Sequence, residues 1–385
     1  MHPSEHYDYI ITGGGCAGLS LAMHILAEPK LHNKTILLIE QDDKNLNDRT
    51  WCYWERGSGF FEGVVYRSWQ QAWFHSEGYS SIKSLSPYAY KMIRGIDFYQ
   101  HCLEKLKSNP SVTLLQAAVE GIRNTTVGVE VDAGGRTHKA SFAFNSILFE
   151  PPVLKASSYM LKQHFKGWII EADEDIFQSE TATLMDFRVS QQHGTTFVYV
   201  MPFSSRKALV EFTLFTKSLL ADGEYDEGLK HYISDFLKGV GYKVLEEEWG
   251  VIPMTDHEFP LHIGNQINLG TAGGLTKPSS GYTFRFIQKH SEALVQSLVS
   301  TGKPFLKQSL LRKRFLWYDR VLLHMLFYNK MPGASIFRML FSKNRIARIF
   351  RFLDNETTIA EELLLLNTLP QWPFMKAGWF ELNKD

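Results

Sequence analysis

The sequence predicts an α/β protein: a Rossmann-like dinucleotide-binding domain interrupted by a mixed β-sheet and followed by a helical C-terminal region. Three observations predict it. An apolar strand runs into Gly13-x-Gly15-x-x-Gly18 and then a helical pattern. From Gly167 to about Pro253 the pattern changes to longer strands with alternating and aromatic character. Near residue 265 a glycine-rich loop returns ahead of another helix.

Taken in order, residues 9–12 form the first strand. Gly13 permits the tight turn, Gly15 lets the backbone approach a pyrophosphate, and Gly18 lets the helix over 19–26 lie close to the strand, its N–H groups facing the anion. Cys16 and Ala17 sit inside the same loop. Residues 9–27 carry no Asp, Glu, Lys or Arg over 19 positions, the length of a membrane helix. Three glycines and the lack of a basic leader argue against one. The next strand, 35–39, ends on Glu40, followed by Gln41, where an acid would accept from the hydroxyls of a ribose without a 2′-phosphate. A helix over 95–106 begins near Asp97 and is stopped by Asn109-Pro110. Residues 112–115 read as a strand, 127–131 and 139–144 as a pair of edge strands about Gly134-Gly135, and 147–149 as a buried strand stopped by Pro151-Pro152. Strands follow at 168–171, 182–189, 196–201 and 208–215, then helices at 219–239 and 284–300. The units implied are 1–155 and 263–302 for the cofactor domain, 156–262 for an inserted substrate-binding sheet, and 303–385 for a helical tail.

A composition of 44% hydrophobic and 14% aromatic residues suits a large apolar ligand. The net charge of zero hides an asymmetry: 303–351 holds twelve basic residues against the single acid Asp319. Cys16, Cys52 and Cys102 give no disulfide framework and fit a reducing compartment. His164, His193 and His257 lack ligand spacing, so no metal is expected, and no nucleic acid.

The glycine fingerprint, Asp48-Arg49-Thr50-Trp51-Cys52-Tyr53-Trp54-Glu55, His164-Phe165-Lys166-Gly167-Trp168, Leu184-Met185-Asp186-Phe187-Arg188, Phe197-Val198-Tyr199-Val200-Met201-Pro202, Leu209-Val210-Glu211-Phe212-Thr213, Gly250-Val251-Ile252-Pro253-Met254, and Gly270-Thr271-Ala272-Gly273-Gly274 through Pro278-Ser279-Ser280-Gly281-Tyr282 form an ordered series. It resembles the lycopene β-cyclases. The resemblance implies a flavoprotein of hydroxybenzoate-hydroxylase-like fold that closes the ends of lycopene into β-ionone rings. The reaction has no net redox change but uses reduced FAD, with NAD(P)H as the electron source. Glu211 matches the first acid of the plant enzymes' Phe-Leu-Glu-Glu-Thr motif, used there for acid-base catalysis; the second acid is Phe212 here. Asp186 and Arg188 would order the site or contact the flavin, or equally brace the sheet as an ion pair. Glu55 is a candidate second carboxylate, while Trp51, Tyr53, Trp54 and Phe212 are candidate walls of the polyene tunnel. Gly13, Gly15, Cys16, Ala17, Gly18, Glu40, Gln41, Arg49, Thr50, Thr271, Ala272, Gly273, Gly281 and Tyr282 would hold the cofactor. Thr271 stands where flavin hydroxylases carry Asp. Two other readings remain: a monooxygenase, halogenase or prenyl reductase of the same fold, and a carotenoid-binding flavoprotein without catalysis. A C40 carotene must be collected from a bilayer, so the basic, apolar segment 303–351 is expected to lie peripherally on the cytoplasmic side of a membrane.

Overall fold

The computed structural model describes residues 6–237, 239–307 and 310–384; the first five residues of the 1–155 unit, and Lys238 in the helix expected over 219–239, lie outside them. β1 (His6–Thr12) turns through the glycine loop into α1 (Cys16–Ala27) and β2 (Ile36–Glu40). The two strands pair in parallel from Tyr9 opposite Ile36 to Thr12 opposite Ile39. The uncharged run is therefore a strand and helix buried on both sides, as parallel strands are.

The chain then makes strands that the sequence did not announce: β3 (Thr50–Glu55), β4 (Arg67–Trp69), β5 (Gln71–Ser76), β6 (Tyr79–Ser84) and β7 (Ala89–Arg94). β3, β7 and β4 form a small antiparallel sheet. α2 (Gly95–Lys107) leads to β8 (Val112–Gln116), which pairs with β2 in parallel. β9 (Val119–Asn124), β10 (Val129–Ala133) and β11 (Arg136–Asn145) follow, with Gly134 and Gly135 at positive φ between the last two. Only part of the edge-strand expectation survives. β11 is central, parallel to β1 on one side and to residues 266–268 on the other. Residues 147–149 form no strand, and Leu148 and Phe149 are exposed. The sheet ends at Asn145, whose side chain accepts from Thr12 Oγ1 at 2.8 Å, and Pro151-Pro152 removes two ladder donors.

β12 (Met160–Ala172), β13 (Thr181–Asp186), β14 (Thr195–Pro202), β15 (Lys207–Thr216) and, after α3 (Glu224–Phe236), β16 (Tyr242–Thr255) build the second large sheet. Its order is β16-β12-β15-β14-β13-β5-β6, so residues 71–84 from the first part of the chain complete it. Helix α3 is shorter than 219–239 because Gly223, in the left-handed region, starts it ahead of Glu224, Asp226 and Glu227, acids suited to a helix N-terminus. One face of this sheet packs on α3 through Trp168, Val210, Phe212 and Leu229. The other meets the β3–β7 sheet and the C-terminal helices.

β17 (His262–Ile263) and β18 (Gln266–Asn268) rejoin the parallel sheet, and α4 (Phe284–Thr301) packs on α1. α5 (Leu310–Phe327), α6 (Gly333–Lys343), α7 (Ile346–Leu353), α8 (Ile359–Leu366) and α9 (Gln371–Leu382) close the molecule. The apolar side chains of 303–351 that were expected to face a bilayer are mainly internal: Phe315, Leu323, Met325, Ile336, Phe337, Phe341, Ile346 and Phe350 are buried. Several of the segment's cations are tied to acids, as in Arg314–Glu362, Arg320–Asp256 and Arg351–Glu361. No described helix is long and apolar enough to cross a membrane.

Candidate active site

The loop after β1 is built for an anion. Gly13 has φ +93°, and a Cβ on Gly18 would lie 2.0 Å from the Gly13 carbonyl oxygen, so only glycine lets α1 approach the strand. A Cβ on Gly15 would meet nothing within 4 Å, because the residue faces open space. The first turn of α1 has no side-chain cap and no acid, leaving its N–H groups for a ligand. Glu40 accepts from Gly14 N at 2.6 Å and Asp42 N at 3.0 Å. It fixes the loop against the end of β2 and keeps acceptor capacity for a hydroxyl. Gln41 is exposed beside it.

From Gly15, Cys16 and Ala17 one cavity of about 810 Å³ runs past Arg49, Thr50, Trp51, Thr271, Gly281 and Tyr282 to Glu211. Its size suits a cofactor together with part of a ligand. Across it, sequence reasoning missed a second carboxyl, Glu248. Glu211 of β15 and Glu248 of β16 both stand opposite Gly167 of the intervening strand β12. Strands two apart are separated by about 10 Å, and the two side chains meet over the glycine. A Cβ there would lie 2.9 Å from Glu248 Cγ and 2.9 Å from Leu209 Cδ1. The two carboxyls lie within electrostatic reach of each other; Glu211 accepts from Thr213 Oγ1 at 2.7 Å and Glu248 accepts from Thr50 Oγ1 at 2.7 Å. Burial holds the Glu211 carboxyl well above the usual range, and the charge of Glu248 pushes it further. Burial also raises Glu248, against the donation from Thr50. A pair of this kind keeps one proton between two carboxyls.

Tyrosines wall the pair. Tyr282 lies 3.4 Å, Oη to Oη, from Tyr90, and Tyr199 lines the same wall; burial pushes the Tyr282 hydroxyl up to about 12 and raises those of Tyr90 and Tyr199 as well, so all stay neutral and electron-rich. Cys52, Gln163, Phe165, Met201 and Leu209 complete this part of the wall. The motifs around Cys52, Phe165, Tyr199 and Leu209 were in view in the sequence, but nothing there tells which side chains of a strand face the cavity.

Several expected site residues lie elsewhere. Asp186 is buried with Arg188 Nε at 2.9 Å and the Tyr232 hydroxyl at 2.9 Å. Arg188 stacks over Phe236, so the pair fastens the sheet to α3 and is off the cavity wall. Glu55 is held by Arg285 at 2.8 Å and Lys91 at 3.1 Å. Of the tunnel aromatics only Trp51 lines the cavity. Tyr53 stacks on Phe284 and Trp54 on Phe350, both in the core. Phe212 points the opposite way from Glu211, into the α3 side. Thr50 donates to Glu248, while Ala272 and Gly273 sit behind the wall as a tight turn, with Gly273 N donating to the Leu269 carbonyl.

A flavin dinucleotide fits these residues. Beside the open cradle at Gly15, Gln163 Oε1 and Ser280 Oγ line the cavity buried and without a partner. Such atoms await a hydrogen-bonding ligand. Gly281, φ +72°, leaves room for the first of them: its Cβ would lie 2.2 Å from Gln163 Oε1. No metal-binding cluster occurs among the described residues.

Comparison with known proteins gives a family and a fold. A family model described as "Lycopene cyclase protein" matches residues 8–378. Lycopene beta-cyclases of Paracoccus and Pantoea ananas are 25% and 27% identical over 55% and 50% of this chain, and a chloroplastic neoxanthin synthase of Solanum tuberosum is 23% identical over 77%. The matches span 57%, 53% and 62% of those relatives' own lengths. Among solved structures, a flavin-dependent brominase matches with TM-score 0.63 at 12% identity, over 94% of this chain and 97% of its own. A flavoprotein/dehydrogenase from Cytophaga hutchinsonii matches with TM-score 0.63 at 11% identity, over 99% and 100%. A geranylgeranyl bacteriochlorophyll reductase-like protein from Thermoplasma acidophilum matches with TM-score 0.57 at 12% identity, over 97% and 96%. At such identities these share the fold, a Rossmann-like domain of the FAD-binding type with an inserted mixed sheet.

Proposed function

The chain belongs to the lycopene cyclase family, and we propose that it closes the linear ends of lycopene into β-ionone rings, giving β-carotene through γ-carotene. The observation that carries this reading is the half-buried Glu211–Glu248 pair on a tyrosine-walled cavity beside the glycine cradle.

Ring closure needs a proton delivered to a terminal double bond, a wall that tolerates the tertiary cation, and a base for the proton lost from the new ring. Glu211 donates, since burial and the neighbouring charge both favour its protonated form. Donation leaves two carboxylates beside the new cation, held by the hydroxyls of Thr213 and Thr50. The faces of Tyr90, Tyr199 and Tyr282 stabilise the cation by up to ~2 kcal/mol per ring in a desolvated site. The internal double bond attacks, and the same carboxyl pair takes the ring proton, restoring its starting state with no net use of protons or electrons.

Gly13, Gly15, Gly18 and Glu40 would hold the ADP half of FAD, with Thr271, Ser280, Gly281 and Gln163 at its ring system. Reduced at the expense of NAD(P)H, the flavin would supply a negative charge that favours a cation in the site. Expression in a lycopene-accumulating cell should yield β-ring pigments on chromatography; unchanged lycopene would overturn the reading. A monooxygenase, halogenase or prenyl reductase would instead consume NAD(P)H in proportion to product. Anaerobic turnover after a single reduction separates the two.

A further inference from the structure

Helix α9 is apolar nearly all round (Gln-Trp-Pro-Phe-Met-Lys-Ala-Gly-Trp-Phe-Glu-Leu), a composition that normally means burial on every side. It is buried on one side only. Ala377, Gly378 and Glu381 face inward. A Cβ on Gly378 would lie 2.9 Å from the Trp317 ring of α5, and Glu381 is hydrogen-bonded by Tyr159 and His324. That seam holds the helix against α5 and Tyr159. On the other side Trp372, Met375, Trp379 and Leu382 follow one another at helical spacing and are 77%, 62%, 71% and 67% exposed. Leu363 and Leu364 on the preceding helix α8 are more than half exposed as well.

We propose that this outer face of α9 is the surface by which the protein lies on an anionic lipid bilayer. Charge selects that occupant. The three acids of 359–384 are all engaged in ion pairs, Glu361 with Arg351, Glu362 with Arg314 and Glu381 with Lys384. The charged side chain exposed on the helix is the cation Lys376. Tryptophan and leucine with a lysine and no free acid suit the headgroup boundary of an anionic leaflet, where indole rings concentrate. The inference rests on the proposed function only in that a hydrocarbon substrate gives such docking a purpose. It replaces the segment 303–351 as the membrane contact, because the apolar residues there are already used inside the protein.

The test is flotation of the full chain, loaded with flavin, on phosphatidylcholine vesicles with and without phosphatidylglycerol. Wild type should float, more strongly with the anionic lipid. The double variant Trp372→Ser, Trp379→Ser should lose at least about tenfold in partitioning, with unchanged melting temperature and flavin content. Lys376→Glu should reduce binding to the anionic vesicles alone. Equal flotation of wild type and double variant would overturn the proposal. So would sedimentation velocity in which wild type is a dimer that the double variant splits while vesicle binding is untouched, since the face would then join two copies of this chain. Turnover of detergent-dispersed lycopene keeps the two readings apart. Its absence in wild type would count against the proposed function and leave flotation standing, whereas loss of vesicle turnover alone in the variant belongs to the surface.

Discussion

Gly167 is the residue on which the proposed acid depends, although it does no chemistry. Any side chain there would stand where Glu248 passes over β12. Gly167→Ala should separate the carboxyls, lowering cyclisation with little loss of flavin; a variant with wild-type turnover would show that the pairing is incidental. Glu211→Gln removes the proton donor itself, a loss of 10²–10⁴-fold or roughly 3–5 kcal/mol of barrier. Lycopene should accumulate while the purified protein stays yellow. Glu248→Gln should behave differently. It removes the charge that raises Glu211, so partial turnover should persist with its high-pH limb moved to lower pH. The same pair makes stability pH-dependent. Because burial raises its folded-state pKa above the unfolded value, the folded protein keeps a proton that the unfolded chain has lost. Stability therefore falls as pH rises from the ordinary glutamate range through the raised value. Melting temperatures at about pH 5 and about pH 8 should differ less in Glu211→Gln than in wild type.

At the scale of elements, the glycine cradle follows from local sequence because its requirement is local: a turn, a close approach and a helix N-terminus within a dozen residues. A Gly18→Ala change would drive its methyl into the Gly13 carbonyl. It should lower both melting temperature and flavin content, whereas Gly15→Val, whose side chain enters open space, should lower flavin content alone. Equal melting temperatures for the two would refute this division. What was not legible depended on partners distant in sequence. β16 hides behind Glu246-Glu247-Glu248, which reads as a solvated acidic run; alternation turns the third acid to the cavity, and only the register with β12 places it beside Glu211. The apolar run 147–149 reads as a strand, yet the parallel sheet takes β18 as its next member and leaves those residues exposed. Phe212 follows the catalytic candidate directly and for that reason faces the opposite side. Asp186 and Arg188 are close in sequence and in space, but their pairing braces α3.

Across the whole molecule, the C-terminal helices brace the loop over 277–282 from behind the cavity as well as cover the sheet. Asp319 of α5 is buried with Lys277 Nζ at 2.8 Å and accepts from the Ser279 hydroxyl, two residues on the loop that carries Ser280, Gly281 and Tyr282 to the cavity. Asn355, just past α7, accepts from the same lysine at 2.9 Å. Phe350 of α7 stacks on Trp54 at 4.4 Å behind the tyrosine wall. A motif reading confined to residues 8–300 could not reveal this, because the helices contribute ion pairs and packing and no residue on the wall near the carboxyls. The consequence is a coupling between distant parts of the chain. Asp319→Asn leaves a buried ammonium without its anion, a change that costs about 3–5 kcal/mol where one member of a buried pair is removed. If the pair only braces the fold, the variant will melt earlier and bind flavin with wild-type affinity at temperatures where it is folded. If the pair positions the loop, flavin affinity measured by fluorescence titration will fall in the folded variant too, and cyclisation with it. The direct bond from Ser279 to the same carboxylate favours the second outcome, and unchanged affinity in folded Asp319→Asn protein would rule it out.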